Sequence, residues 1–168
     1  MTVPAGGYDP SFYELLYAAE DQHFWFRSRN AVIAAMVSQA VAGLAPGYRV
    51  LELGCGNGNV TRLLQATCSE GLVIGMDLFG EGLRNARRRG VTQLVQADVN
   101  RAPFQKKFQV IGMFDVLEHI PDDGRSCVKH SISWTLGVHS FLLCPHTRNS
   151  GATSTKLPST AGDTHSPI

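Results

Sequence analysis

Glycine occupies positions 54, 56 and 58 in the run VLELGCGNG, directly after an apolar segment and before a helix-like one, and Glu52 stands just ahead of the first glycine. Glycines at a strand-to-helix turn let the backbone bend sharply and approach a ligand with no side chain in the way. Three further acids close short apolar runs: Asp77 ends LVIGMD, Asp98 ends QLVQAD and Asp115 ends FQVIGMFD. A carboxylate accepts from two neighbouring hydroxyls at once, which suits Asp77, about twenty residues beyond the glycine loop, to a ribose. Asp98 is suited to accept from an exocyclic amine. The plainer alternative for each acid is a helix N-cap or a strand end. Four acids in register with one glycine loop favour a common ligand.

The main rival is a dinucleotide turn of the GxGxxG kind, in which a helix N-terminus faces a pyrophosphate. Counted from Gly54 and Gly56, its third glycine would fall at position 59, which is Asn59. Glu52 would also place a carboxylate near the phosphates. An acid there fits a ligand carrying an ammonium and a sulfonium better. A nicotinamide-dependent oxidoreductase is therefore the least favoured reading.

These groups need a scaffold. Four apolar runs, RVLELG, LVIGMD, QLVQAD and FQVIGMFD, read as buried parallel strands, with NVTRLLQATCSEG and FGEGLRNARRRG as helices between them, each closed by Gly. Strand, helix, strand, helix, strand is the pattern of an α/β doubly wound sheet, in which ligands bind beyond the carboxyl ends of the strands. Ahead of it, FYELLYAAEDQHFWF and RSRNAVIAAMVSQAV are helical from Ser11 to about Val41. Beyond Gly124 the pattern weakens: GRSCVKHSISWTLG reads as a helix and turn, VHSFLLCP as a fifth strand, and the Ser-, Thr-, Gly- and Pro-rich stretch after Pro145 as a disordered tail.

The residues VLELGCGNG, GMDLF, QADV and MFDVLEHIPDD resemble the class I S-adenosylmethionine-dependent methyltransferases, in particular their type 11/12-like group. The resemblance implies a Rossmann-like, three-layer, mainly parallel sheet with N-terminal helices, and S-adenosyl-L-methionine as cofactor. It implies that Asp77, followed by Leu78, binds the ribose hydroxyls and that Asp98 meets the adenine amino group, with Val99 addressing the ring. Glu52 and the loop Gly54, Cys55, Gly56 and Gly58 would hold the methionine end, and Phe114 with Asp115 would close over the cofactor.

EDQHFWFRSRN resembles a segment that lies over the cofactor mouth in part of this group, from which Arg27 or Arg29 would reach the methionine carboxylate. Its plainer reading is a lid helix packing Phe24, Trp25 and Phe26 on the sheet. Transfer from a sulfonium is an in-line displacement on an activated donor, so positioning supplies much of the rate. Where the acceptor needs deprotonation, His119 is the candidate base, since imidazoles titrate near neutral pH. The alternative is that Glu118 and His119 only fix their loop.

The expected organisation is a methyltransferase-like domain over 1–145, comprising a helical lid at 11–45, a cofactor-binding core at 49–123 and a less regular 124–145, followed by a tail at 146–168. The KPGG-type turn and last strands of the family are not legible, which fits a chain truncated or frame-shifted near Gly124. Two readings follow: methyl transfer to a small-molecule or lipid-like acceptor, or a module that binds the cofactor without turnover.

Composition narrows the rest. The 168 residues are 43% hydrophobic and 17% charged, with a formal net charge of +1, which makes no electrostatic case for nucleic acid or membrane. Arg84, Arg87, Arg88 and Arg89 read as a solvated helix face. Cys55, Cys68, Cys127 and Cys144 form no CxxC pair, and the N-terminus lacks signal-peptide regions, so reduced thiols in a cytoplasmic protein are expected. Cys127, His130, Cys144 and His146 match no compact zinc spacing, and no metal is expected. The apolar stretch Ala31–Ala45 is too short for a membrane helix.

Overall fold

The computed structural model describes residues 12–104, 108–116, 119 and 139–143. Within them two helices, α1 (Phe12–Ala19) and α2 (Phe24–Val41), precede β1 (Arg49–Leu53), α3 (Asn59–Thr67), β2 (Leu72–Asp77), α4 (Gly80–Arg88), β3 (Leu94–Gln96), β4 (Val110–Phe114) and β5 (His139–Leu143). The strands form one sheet in the order β3-β2-β1-β4-β5, and every described pairing is parallel. From β1 the chain runs outward to β2 and β3, then returns to lay β4 on the other side. Strand order therefore reverses at β1 and β4, the place where such sheets leave a crevice.

The alternation of strand side chains divides the core in two. Val50, Val73, Val110 and Phe114 pack with Ile33 and Val37 of α2 and Leu64 of α3, whereas Leu51, Leu53, Met76, Ile111 and Met113 pack with Phe108 on the opposite face. Burial on both faces explains why β4 reads as an unbroken apolar run, and why β1 after Arg49 is apolar except at Glu52. Tyr48, ahead of β1, fills the space over Gly71, where a Cβ would collide with its ring.

The helical stretch expected from Ser11 to Val41 is interrupted at residues 20–23. His23 takes extended backbone angles and its Nδ1 accepts from the N–H of Trp25, which starts α2 afresh. The acids Glu20 and Asp21 turn toward arginines elsewhere in the fold, an outcome that local helix propensity does not register. VHSFLLCP supplies a strand, β5, parallel to β4. The expectations for 124–138, for the tail, for Glu118 and for the Cys127, His130, Cys144 and His146 set lie outside the described residues.

Candidate functional site

A cavity of about 340 Å³ opens at the carboxyl ends of β1, β2 and β4, within the size range of small-molecule sites. Its floor is the turn after β1. Gly54 and Gly56 both have positive φ, +72° and +48°, a region that costs an L side chain energy but not glycine. The N–H groups of Gly54 and Cys55 both donate to the carbonyl of Met76, at 2.7 and 2.9 Å, which ties the turn to the end of β2.

Glu52 is 2% exposed and lines this cavity. Its register partners on both sides are glycines, Gly75 on β2 and Gly112 on β4. A Cβ at Gly75 would press on Cys55 Sγ and Thr61 Oγ1, and one at Gly112 would collide with the ring of Phe114. The missing side chains thus make room for an acid at the sheet's centre. Thr61 Oγ1 donates to the Glu52 carboxylate, but burial dominates and pushes its pKa up to about 8. A cation placed here would reverse that shift. Burial likewise holds the Cys55 thiol well above its usual range, so it stays neutral.

Asp77 ends β2 with both oxygens engaged: Oδ2 accepts from Gly56 N–H at 2.7 Å, and Oδ1 from Phe79 N–H at 2.8 Å and, more weakly, Tyr13 Oη at 3.4 Å. Burial raises its pKa, opposed by those two N–H groups. A carboxylate has about four acceptor positions, so Asp77 keeps capacity for a hydroxyl pair. Leu78, Phe79, Ala97 and Val99 add an apolar side to the cavity.

Across the mouth, Arg29 of α2 is ion-paired to Asp115, just past β4. Its guanidinium lies 5.2 Å from the ring centroids of both Trp25 and Phe26. Asp115 has φ +56°, unusual for a residue other than glycine, and such strain gathers at functional sites. His119, exposed, stands at the same opening.

The cavity therefore brings together Glu52, Gly54, Cys55, Gly56, Asp77, Leu78, Val99, Phe114, Asp115 and His119. Three of the expected residues lie elsewhere. Gly58 does not line the cavity and packs against α4, where a Cβ would come within 2.6 Å of Ala86 Cβ. Asp98 is half-buried beside the cavity, its carbonyl accepting from Arg101 N–H in a 3-10 turn. Arg27 borders a second, shallower cavity with Asp21 and Arg62. Residues two positions apart on a helix point about 200° apart, and only Arg29 of the pair faces the site. Tyr13, Glu20 and Asn57 also line it, and none was singled out from sequence. The glycines beside Glu52 had a readable signal: the tetrad VIGM recurs at 73–76 and 110–113.

Among the described residues no group of three or more His, Cys, Asp or Glu is placed to hold a metal ion, and no helix is long and apolar enough to cross a membrane.

A doubly wound parallel sheet with a glycine turn, a buried acid and a strand-end aspartate around one crevice has the arrangement in which such folds bind their ligands. The Methyltransferase domain family matches residues 50–135, just over half the chain, and the protein belongs to that family. It is 31% identical to the ubiquinone biosynthesis O-methyltransferase of Bordetella pertussis over 91 residues, 50% of this chain and 37% of that protein. It is also 31% identical over 103 residues to the trans-aconitate 2-methyltransferase of Rhodopseudomonas palustris, 61% of this chain and 40% of that one. The chain thus spans about two fifths of the length of these curated relatives. The solved DhpI complex with S-adenosylhomocysteine superposes with TM-score 0.52 at 26% identity, over 73% of this chain and 59% of that one. DesVI of Streptomyces venezuelae, at 17% identity, TM-score 0.55 and coverages of 75% and 54%, shares the fold.

Proposed function

We propose that this chain binds S-adenosylmethionine in the cavity at the ends of β1, β2 and β4 and directs its methyl group to a small-molecule or lipid-like acceptor. The carrying observation is the pairing of a buried, cation-seeking carboxylate, Glu52, with a strand-end carboxylate, Asp77, on either side of one glycine turn. The donor set fits the cofactor part by part. Glu52 accepts from the ammonium of the methionine end, and Arg29, next to it across the mouth, meets the carboxylate. Asp77 accepts from the ribose hydroxyls, Leu78, Ala97 and Val99 flank the base, and Asp98, between Ala97 and Val99 in the chain, would address its amino group. Gly54 and Gly56 allow the backbone to lie against the ligand.

The bound sulfonium supplies an activated methyl group, so the protein's task is to orient it and exclude water. Phe114, Trp25 and Phe26 shield the mouth, and His119 takes a proton from an acceptor that requires it. A pyrophosphate cofactor is disfavoured because Glu52 would face its charge in a buried site. The relatives' names support a methyl acceptor of low molecular mass.

Calorimetric titration with S-adenosylhomocysteine and, separately, NAD tests this reading. Saturable binding of the first alone is expected. Asp77→Ala removes bonds to a charged acceptor, each contributing about 1.5–3 kcal/mol, and should weaken binding by about 10- to 100-fold or more. A folded chain that ignores S-adenosylhomocysteine sinks the proposal.

A further inference from the structure

The cover of the site is held on by charge rather than by apolar packing. In α1 only Tyr13 is buried, while Phe12 and Leu15 are 52% and 68% exposed. Yet Tyr13, Leu16 and Glu20 form one wall of the cavity. The buried part of the attachment comes from the end of α4, while Asp21 also accepts from Arg62 and Asn59 of α3, at 2.9 and 3.1 Å. Arg89, its side chain 1% exposed, donates to Asp21 Oδ1 at 2.6 Å, Glu20 Oε2 at 2.8 Å and the Tyr17 carbonyl at 2.8 Å. Its guanidinium also lies 4.2 Å from the Tyr17 ring centroid, and that of Arg88 4.6 Å from the same ring. Arg88 reaches Glu14 at 3.0 Å. Two consecutive arginines thus clasp α1 and the turn that follows it around one tyrosine.

A second line runs from the same helix to the ligand side. Asn85 Nδ2 donates to Asn57 Oδ1 at 3.0 Å, and Asn57 Nδ2 donates to the Tyr13 carbonyl at 2.8 Å. Asn57 belongs to the glycine turn, so the position of α1 and the shape of the turn are linked. A guanidinium enclosed to this degree needs its carboxylates, because an unpaired buried charge is strongly destabilising. Segments with few buried apolar groups also open locally before the domain unfolds.

We propose that Arg89 is a positioning residue for the nucleoside cavity: it holds α1 as a detachable cover that places Tyr13 and Glu20 against the ligand, and the clasp opens to admit and release it. This rests on the function proposed above. Arg89 touches no ligand itself; it acts through Glu20 and through the seat of Tyr13 beside Asp77.

Amide hydrogen exchange of the ligand-free chain reads the clasp directly. In Arg89→Met, amides of α1 should exchange about 10-fold faster or more while those of β1 and β4 keep their protection, and Arg89→Lys should restore part of it. Stopped-flow binding of S-adenosylhomocysteine reads the consequence, with dissociation from Arg89→Met accelerated about 10-fold. Unchanged α1 protection overturns the proposal, as does loss of protection in α1 and the strands together, which would make Arg89 a support of the whole fold. So does a faster-exchanging α1 with an unaltered dissociation rate. Should Arg89→Met fail to fold, Glu14→Gln combined with Asp21→Asn weakens the same clasp from its exposed side, and an unchanged α1 there overturns it equally. A wild-type chain that binds no S-adenosylhomocysteine removes the function reading; the exchange data then decide the clasp alone.

Discussion

The floor and the cover of the cavity are built by different means. The floor is held by backbone N–H groups: Gly54 and Cys55 on the Met76 carbonyl, Gly56 and Phe79 on the Asp77 carboxylate, all anchored to the ends of β1 and β2. The cover is side-chain charge, Arg88 and Arg89 against Glu14, Glu20 and Asp21. Backbone bonds within a sheet-anchored turn are made or lost with the fold. Charge pairs that reach the surface are screened over about 8 Å at physiological salt and adjust singly. A rigid floor with an adjustable cover suits a site that must recognise one ligand and still exchange it.

The harshest way to break the comparison is to disturb the floor's support. Gly58 has φ +74°, and a Cβ there would lie 2.6 Å from Ala86 Cβ and 2.9 Å from Ala86 Cα. Gly58→Ala adds backbone strain to overpacking and should cost about 2–5 kcal/mol of stability, read from the urea midpoint. Gly43→Ala is the control, with φ +84° and open space around the new methyl; it isolates the backbone part, about 1–2 kcal/mol. Equal losses for the two would show that the contact between Gly58 and α4 has no energetic weight.

This division also explains what was legible in the sequence. Backbone demands leave marks in residue type and spacing: glycine turn, apolar runs closed by acids and Gly-ended helices together foretold the strands, their parallel order and most of the cavity. Charge pairing across the fold leaves no such mark. Arg89 read as part of a solvated face because a helix pattern reports which residues are polar, not which acids lie 68 or 69 positions away. Arg27 and Arg29 were equivalent for the same reason until the phase of α2 was known. The break at residues 20–23 follows from the same contacts, since Glu20 and Asp21 leave the helix to meet Arg89.

A smaller effect sharpens the picture of the floor through pH. Glu52 has its pKa pushed from 4.5 up to about 8 by burial, so the folded chain binds this proton more tightly than the unfolded one. Its contribution to stability is therefore complete below about pH 4.5 and is lost as pH rises toward 8. Asp77 and Glu20 are raised as well, also by burial, and act in the same direction. Ligand-free chain should thus grow less stable from pH 5 to pH 8, and Glu52→Gln should flatten that slope and be the more stable protein at pH 8. Urea titrations at both pH values check it; a slope unaltered by the substitution would mean that Glu52 is ionised throughout. Binding an ammonium against Glu52 should release a proton, visible as buffer-dependent calorimetric heat.

The smallest effect concerns the two halves of the clasp. The Arg88 and Glu14 side chains are 56% and 69% exposed, those of Arg89 and Glu20 1% and 12%. In water the first pair gains little from its charges and bears the entropy of holding two long side chains, so a double-mutant cycle of Arg88→Met and Glu14→Gln should give a coupling of about 0.2–1 kcal/mol that fades with salt. The second pair sits where water cannot replace the partner, so its coupling should be larger and retained in high salt. If both couplings are small and salt-sensitive, the cover is tethered only at its surface. If the Arg88 coupling matches that of Arg89, the Tyr17 ring shared by the two guanidiniums joins them into one unit, and α1 is released in a single step.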